Sequence, residues 1–374
     1  MIDTIKIAIP IDGQPSWPRA GFRPSLSMLN HCNDYFKATR NPLIVEKKQN
    51  IYMPRLTFIQ RITHDSNVSR ELQIEVSLPK LMFGNNFDEI TEKMMDGVAN
   101  KITELLDGIG ISISLGQIKN ASIRRIDFCK NIILKNYTSV NSVLKNIEMA
   151  NISEIYDVSK SDFRNGGSII HYHCNSLDVV IYDKIADLRQ SKKSEKRSVE
   201  MDNFIQQDLL SILEKEKRRS VIRFEVRLNG AKKIKEALKA AGFADIPEVN
   251  FTQIFKKEIA RKILLFYWNN IVECIPKIPL DSDKPEIMLA EILKGEKVTP
   301  MLALARFGCL YLIKNTDERY LKKVFKERFY RDAWPRLKKK VGGLLDKTQL
   351  VTLLYIGRCI EDMEAIRLGD IGVD

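Results

Sequence analysis

The sequence predicts an α+β fold, with a largely antiparallel sheet first and an all-helical part after it. Through residue 230, run after run alternates apolar and polar residues with the period of a strand; beyond it, apolar positions recur almost wholly at helical spacing. The 374 residues also exceed the roughly 250–300 at which single cores stop growing, so two domains are expected, 1–230 and 231–374.

Taken in order, Ile5 to Pro10, Ile51 to Ile62 and Glu71 to Leu78 alternate as strands. From Asn86 to Leu106 the apolar set Ile90, Met94, Val98, Ile102, Leu105 and Leu106 keeps helical spacing until Gly108 and Gly110 stop it. Ala121 to Leu134 reads as a strand, Ser139 to Met149 as a helix, and Ser168 to Ile181 as strands broken by the turn signal Asn175-Ser176. Asp187 to Arg219 is highly charged, with Lys192, Lys193, Lys196 and Arg197 in a basic loop before a helix from Phe204 to Leu213. A strand from Val221 to Leu228 closes the first part. Helices are expected over Ala231 to Ala241, Phe251 to Val272, Lys284 to Leu293, Pro300 to Ile313, Tyr320 to Leu337 and Thr348 to Ala365. No internal repeat or low-complexity tract interrupts this order.

Sixty lysines and arginines against 48 acids give a net charge of +12, which favours a polyanionic partner, nucleic acid before an anionic membrane surface. The six cysteines (Cys32, Cys129, Cys174, Cys274, Cys309, Cys359) are scattered without a CxxC pair, which speaks against a zinc cluster or a disulfide framework. Reduced thiols are expected. No apolar run approaches the ~18 residues of a membrane span, and Met1-Ile2-Asp3-Thr4-Ile5-Lys6-Ile7 lacks the pattern of a signal peptide. The expected location is the cytoplasm.

Four strand segments each set a reactive polar residue against an apolar stripe: Ile74-Glu75-Val76, Arg125-Ile126-Asp127, Ile181-Tyr182-Asp183-Lys184 and Arg223-Phe224-Glu225-Val226-Arg227. Glu75, Asp127 and Glu225 offer the oxygen ligands that suit Mg²⁺ or Mn²⁺, ions that neutralise phosphate charge during an in-line displacement. A tyrosine such as Tyr182 can attack a phosphodiester, with Lys184 on its strand face able to lower the phenol's pKa or hold the phosphate. Arg125, Arg223 and Arg227 can serve the phosphate in the same way. Taken singly, each acid is more commonly a residue of a solvated strand face than a ligand.

In order and approximate spacing these segments resemble the replication initiators of filamentous phage and rolling-circle plasmids, tyrosine endonuclease-ligases that nick one strand of an origin. The resemblance spans about residues 1–230. It rests on Met1-Ile2-Asp3, Ile74-Glu75-Val76-Ser77-Leu78-Pro79-Lys80-Leu81 with Gly84-Asn85, Arg125-Ile126-Asp127, Ile181-Tyr182-Asp183-Lys184 and Arg223-Phe224-Glu225-Val226-Arg227-Leu228. It implies that Tyr182 is the nucleophile joined to the DNA 5′ phosphate. Asp127 and Glu225 would be the first metal ligands and Glu75 the next, while Arg125, Arg223 and Lys184 would stabilise phosphate charge. A free 3′-OH for the host polymerase and later religation come with it; a host helicase and polymerase are expected partners beside origin DNA, with a homodimer as one assembly state. Two other readings stand beside it: an origin-binding or repressor protein without catalysis, and a transposase or mobilisation relaxase with the same chemistry.

His171-Tyr172-His173 departs from those relatives and resembles the His-hydrophobic-His metal motif of a wider nicking superfamily, although a tyrosine fills its middle position. Both imidazoles share one strand face and could ligate a metal. A histidine pair packed on an ordinary strand is the plainer reading, and Tyr172 is a competing nucleophile. His31 and His64 have no interpretable context. Finally, Arg319 to Lys340 reads as one basic helix of net +8 that includes Lys322, Lys323, Lys326, Arg328, Arg331, Lys338, Lys339 and Lys340. These cations suit DNA phosphates, and the interleaved Phe325, Phe329, Tyr330 and Trp334 are expected mainly to anchor the segment. Lys192 to Arg197 suit a strand clamp less well than a solvated loop.

Overall fold

Three alternating isoleucines, Ile5, Ile7 and Ile9, make β1 (Ile2–Pro10) a strand with one buried face, and the fold is built outward from it. In this computed structural model β1 pairs antiparallel with β5 (Val68–Ser77) on one side and β6 (Ser122–Ile133) on the other. The remaining strands are β2 (Arg23–Pro24), β3 (Tyr35–Arg40), β4 (Arg55–Ile62), β7 (Asp162–Arg164), β8 (Ile169–Cys174), β9 (Leu177–Asp183) and β10 (Val221–Asn229). Among the described residues all ten strands form one sheet in the order β2-β3-β4-β5-β1-β6-β10-β9-β8-β7, antiparallel at every pairing. The structure describes residues 1–11, 23–24, 35–43, 45–46, 49, 51–62, 67–134, 140–148, 150, 152, 162–164, 169–190, 220–243, 249–275, 285–293, 299–315, 318–330, 332–341 and 351–371.

Strand alternation gives the sheet two unlike faces. One carries Ile5, Ile7, Ile74, Val76, Ile126, Phe128, Val179, Ile181, Phe224 and Val226, all buried in a core shared with the helices Met95–Asp107, Ala231–Ala240, Lys257–Glu273 and Val351–Asp362. At its centre Phe224 meets Trp268 edge-on, ring centroids 5.4 Å apart, a geometry worth about 0.5–1.5 kcal/mol beyond area burial. Gly357 lets the last long helix close on that indole, because a Cβ there would stand 3.3 Å from Trp268 Nε1. The α+β class expected from the sequence is thus the class observed. The helices Pro285–Leu293, Pro300–Asn315, Glu318–Arg328 and Ala333–Val341 pack on one another, whereas the three long helices on either side of them in sequence lie against β6 or β10.

Several boundaries differ from the sequence reading. The helix expected from Asn86 begins only at Met95, after a 3-10 turn at Glu92–Met94. Asn85 is the reason: its side-chain oxygen accepts the backbone N–H groups of Phe87 and Asp88, a local turn that competes with helix. The helix expected over Phe251 to Val272 is two, Phe251–Ile254 and Lys257–Glu273. The single basic helix is likewise two, Glu318–Arg328 and Ala333–Val341. Pro335 has no N–H and its ring clashes with the carbonyl four residues earlier, so it fits a first helical turn and breaks a continuous helix there. The expected helix Phe204 to Leu213, the segment Lys192 to Arg197, His31 and His64 lie outside the described residues.

Candidate active site

The second face of the sheet carries the polar residues in cross-strand rows. One row runs Ile169, Tyr182, Arg223, Asn131 and the next His171, Val180, Glu225, Cys129. A third runs His173, Asp178, Arg227, Asp127, Thr4, and a fourth Asn229, Arg125, Lys6, Glu75, Arg55. Tyr182, Glu225 and Asp127 therefore descend diagonally across β9, β10 and β6, within the reach of long side chains.

Around Tyr182 this face is covered. The tyrosine is 8 % exposed, Arg223 2 % and Lys184 1 %, and the acids Asp127 and Glu225 are buried as well, unlike those of a solvated strand face. Phe87, Ile185, Leu188, Val221 and Ile371 form a small apolar cluster at the end of the face where β9 finishes. Its pieces come from the loop after Asn85, the helix Lys184–Gln190 and the C-terminal 3-10 turn Leu368–Ile371. Lys184 opens that helix instead of continuing the strand, yet its ammonium lies 5.7 Å from the centre of the Tyr182 ring.

Each acid near Tyr182 has a cation. The Tyr182 hydroxyl donates to Glu225 Oε2 at 3.4 Å, and Glu225 Oε1 accepts from Arg227 Nε at 2.9 Å. Arg223 donates to Asp3 Oδ1 at 2.6 Å and to the Asn86 carbonyl at 2.8 Å, with Nε 3.9 Å from Glu225. Arg125 grips Asp127 with two bonds, 3.0 and 2.7 Å, the planar fork that only arginine supplies. Glu75 stands apart in the fourth row, 3.1 Å from Lys6 and 3.5 Å from Arg125. Glu75, Asp127 and Glu225 do not gather into one three-ligand cluster; among the described residues only His171, His173 and Asp178 do so.

Burial sets the protonation behaviour. It pushes the Tyr182 phenol well above its ordinary value, against the pull of Arg223, so the expected lowering by nearby cations is not the net result. Burial, resisted by the Arg125 hydrogen bonds and reinforced by the negative charge of Glu225, raises Asp127 to about 7. Burial and repulsion by Arg223 lower Lys184 to about 8. A neutral phenol and a lysine able to lose its proton thus lie together under the covered face, with a carboxylate poised near neutrality two strands away on β6.

Tyr172, the competing nucleophile, points into the apolar core with 1 % exposure. Of the basic-segment cations, Lys323, Lys326 and Arg328 are exposed on the helix Glu318–Arg328. Lys322, Lys338, Lys339 and Lys340 sit on helices but their side chains, like Arg331, lie outside the described residues. Trp334 is buried against Phe325, ring centroids 5.1 Å apart, while Phe329 and Tyr330 are exposed. Sequence reasoning gave no site role to Asp178, Glu89 or Asp3, the last quoted only within Met1-Ile2-Asp3. Asp178 had a signal: a two-residue turn at Asn175-Ser176 obliges His173 to face it.

Fold and site together define a basic α+β protein with a tyrosine, carboxylates and guanidinium groups massed on one face of an antiparallel sheet. Residues 1–243, nearly two thirds of the chain, match the family described as the N-terminal part of a phage replication-associated protein. The chain belongs to that family of phage replication-associated proteins, and a role in phage replication initiation follows from membership. No curated protein and no solved structure matches it. Among the described residues no helix is long and apolar enough to cross a membrane.

Proposed function

We propose that the protein nicks and rejoins one DNA strand at a replication origin through Tyr182. The phenolate oxygen attacks a phosphodiester phosphorus, a tyrosine O–P bond to the 5′ phosphate forms, and the P–O3′ bond breaks, the departing 3′ oxygen taking a proton from water to leave a 3′-OH. The observation that supports this most is the Tyr182–Glu225 hydrogen bond within a pocket of arginines. Because burial holds the phenol neutral, attack needs a base, and Glu225 is in place to take the proton. Arg223 and Lys184, buried beside the ring, stabilise charge on the phosphate, and Arg125 adds to them from the edge of the site.

Asp127 and Glu225 fit a divalent cation. They are two oxygen donors on diagonal strand positions, close enough for the charge of one to raise the other. Mg²⁺ or Mn²⁺ held there would supply charge neutralisation at the phosphate and the leaving oxygen. Glu75, bound to Lys6 and Arg125, is not in that pair. The exposed cations of the helix Glu318–Arg328 and the lysines that follow would position duplex DNA by its phosphates.

The burial of Tyr182 supports a second reading, an origin-binding protein without catalysis. One experiment separates the two: labelled single-stranded origin DNA and Mn²⁺ are incubated with the protein or with Tyr182→Phe and run on a denaturing gel. A protein–DNA adduct that disappears in the variant supports the nickase. Binding without any adduct supports the second reading. Asp127→Ala and Glu225→Ala should abolish the adduct and leave duplex binding nearly intact.

A further inference from the structure

The β8–β9 hairpin places a second donor set on the polar face, chemically unlike the carboxylate pair. The two-residue turn Asn175-Ser176, with Ser176 at φ 62°, fixes the register His173↔Asp178 and His171↔Val180. Both imidazoles therefore flank one carboxylate. His173 Nδ1 lies 2.8 Å and His171 Nε2 3.4 Å from the same oxygen, Asp178 Oδ1, and the two rings stand 3.5 Å apart. His171 Nε2 is buried, and its long approach to Asp178 falls short of a well-formed hydrogen bond. The three ligand atoms lie within 4.8 Å of one another. Ligands about 2.0–2.1 Å from a tetrahedral zinc sit about 3.4 Å apart, so small side-chain rotations close the site.

We propose that His171, His173 and Asp178 form a separate site for a divalent transition metal, distinct from the Asp127–Glu225 pair. Two imidazole nitrogens and one carboxylate suit zinc and its first-row neighbours, whereas magnesium takes oxygen. The remaining coordination positions are open to water. Asp178 is four residues from Tyr182 along β9, about 13 Å between backbone positions at about 3.3 Å per residue. The metal's effect is on the hairpin: it ties β8 to β9 and orders the strand on which Tyr182 sits. This inference does not depend on the nicking chemistry.

The test is Zn²⁺ binding by the full chain, without DNA, in millimolar Mg²⁺ to occupy oxygen-only sites. Equilibrium dialysis should find one tightly held Zn²⁺ per chain, weakened tenfold or more in His171→Asn and in Asp178→Asn and unchanged in Asp127→Asn. Zn²⁺ should also raise the melting temperature of the wild type but not of Asp178→Asn, and unchanged circular dichroism would show both variants folded. Absence of bound Zn²⁺, retention by both hairpin variants, or loss in Asp127→Asn would each overturn the proposal.

Discussion

Asp127 makes the stability of this protein fall as pH rises through neutrality. Its carboxyl moves from the ordinary 3.8 to about 7 in the folded chain, chiefly because it is buried, with Glu225 nearby adding to the rise. The folded state thus holds a proton that the unfolded state releases. Its contribution is fully present below pH 3.8, declines between there and neutrality, and is lost once the pH passes about 7. At about 1.4 kcal/mol per pH unit over that interval, the total is about 4 kcal/mol. Asp127→Asn removes the titrating group and should remove the slope. Urea unfolding, followed by the fluorescence of the buried Trp268 between pH 5 and 8, measures it; at an m-value of about 3 kcal/mol/M the wild-type midpoint should drop by about 1 M relative to the variant. Mn²⁺ should flatten the wild-type curve, since a cation favours the ionised carboxylate, and leave the variant unchanged. Parallel curves for the two proteins without metal would refute the assignment.

Three further outcomes follow from other contacts. Glu89, 3 % exposed, accepts from Lys130 Nζ at 2.7 Å and from the Ile366 amide at 3.0 Å; Glu89→Ala should cost about 3–5 kcal/mol and speed amide exchange at Ile366, and unchanged exchange would show that the C-terminal segment is held otherwise. Gly357→Ala pits a helix gain of about 0.5–1 kcal/mol against an overpacking cost of about 1–3 kcal/mol at a 3.3 Å approach to Trp268, so net destabilisation and a changed tryptophan emission are expected. Replacing Lys338, Lys339 and Lys340 together by alanine should reduce the slope of log K against log salt by up to about 2.7 if all three contact duplex phosphates; an unchanged slope would assign that helix to structure.

The sheet was legible because its information is local. Alternation in Glu71 to Leu78, Ala121 to Leu134 and Val221 to Leu228 fixes which side chains share a face, and those strands appear within a few residues of the expected limits. Strand order was not legible, since pairing β1 between β5 and β6 joins residues more than 60 and 110 positions apart in sequence. That order decides that Tyr182 meets Glu225 and that Glu75 does not meet either. Burial of the polar face was hidden for the same reason. The groups that cover it, Phe87 and Ile371, come from distant segments, and the alternation that marks a polar face says nothing of what lies over it.

The arginines beside Tyr182 occupy the carboxylates that a metal would need. Arg125 holds Asp127, Arg227 holds Glu225, and Arg223 holds Asp3. Guanidinium groups also pair with phosphate by the same two-pronged geometry, so a DNA strand over this face competes for them. A carboxylate that loses its partner while buried is costly, about 3–5 kcal/mol, and a divalent cation offsets that cost. DNA and metal should therefore bind cooperatively, with equal effect in both directions. Coupling of about 1–3 kcal/mol corresponds to about 5- to 150-fold. Tyr182→Phe, which under the proposed mechanism forms no adduct, allows the measurement: Mn²⁺ affinity with and without the single strand, and DNA affinity with and without Mn²⁺. Factors that agree and exceed about fivefold would support exchange of arginine from carboxylate to phosphate. Affinities independent of one another would mean that the arginines stay on their carboxylates, and the divalent ion would then have to sit elsewhere on this face.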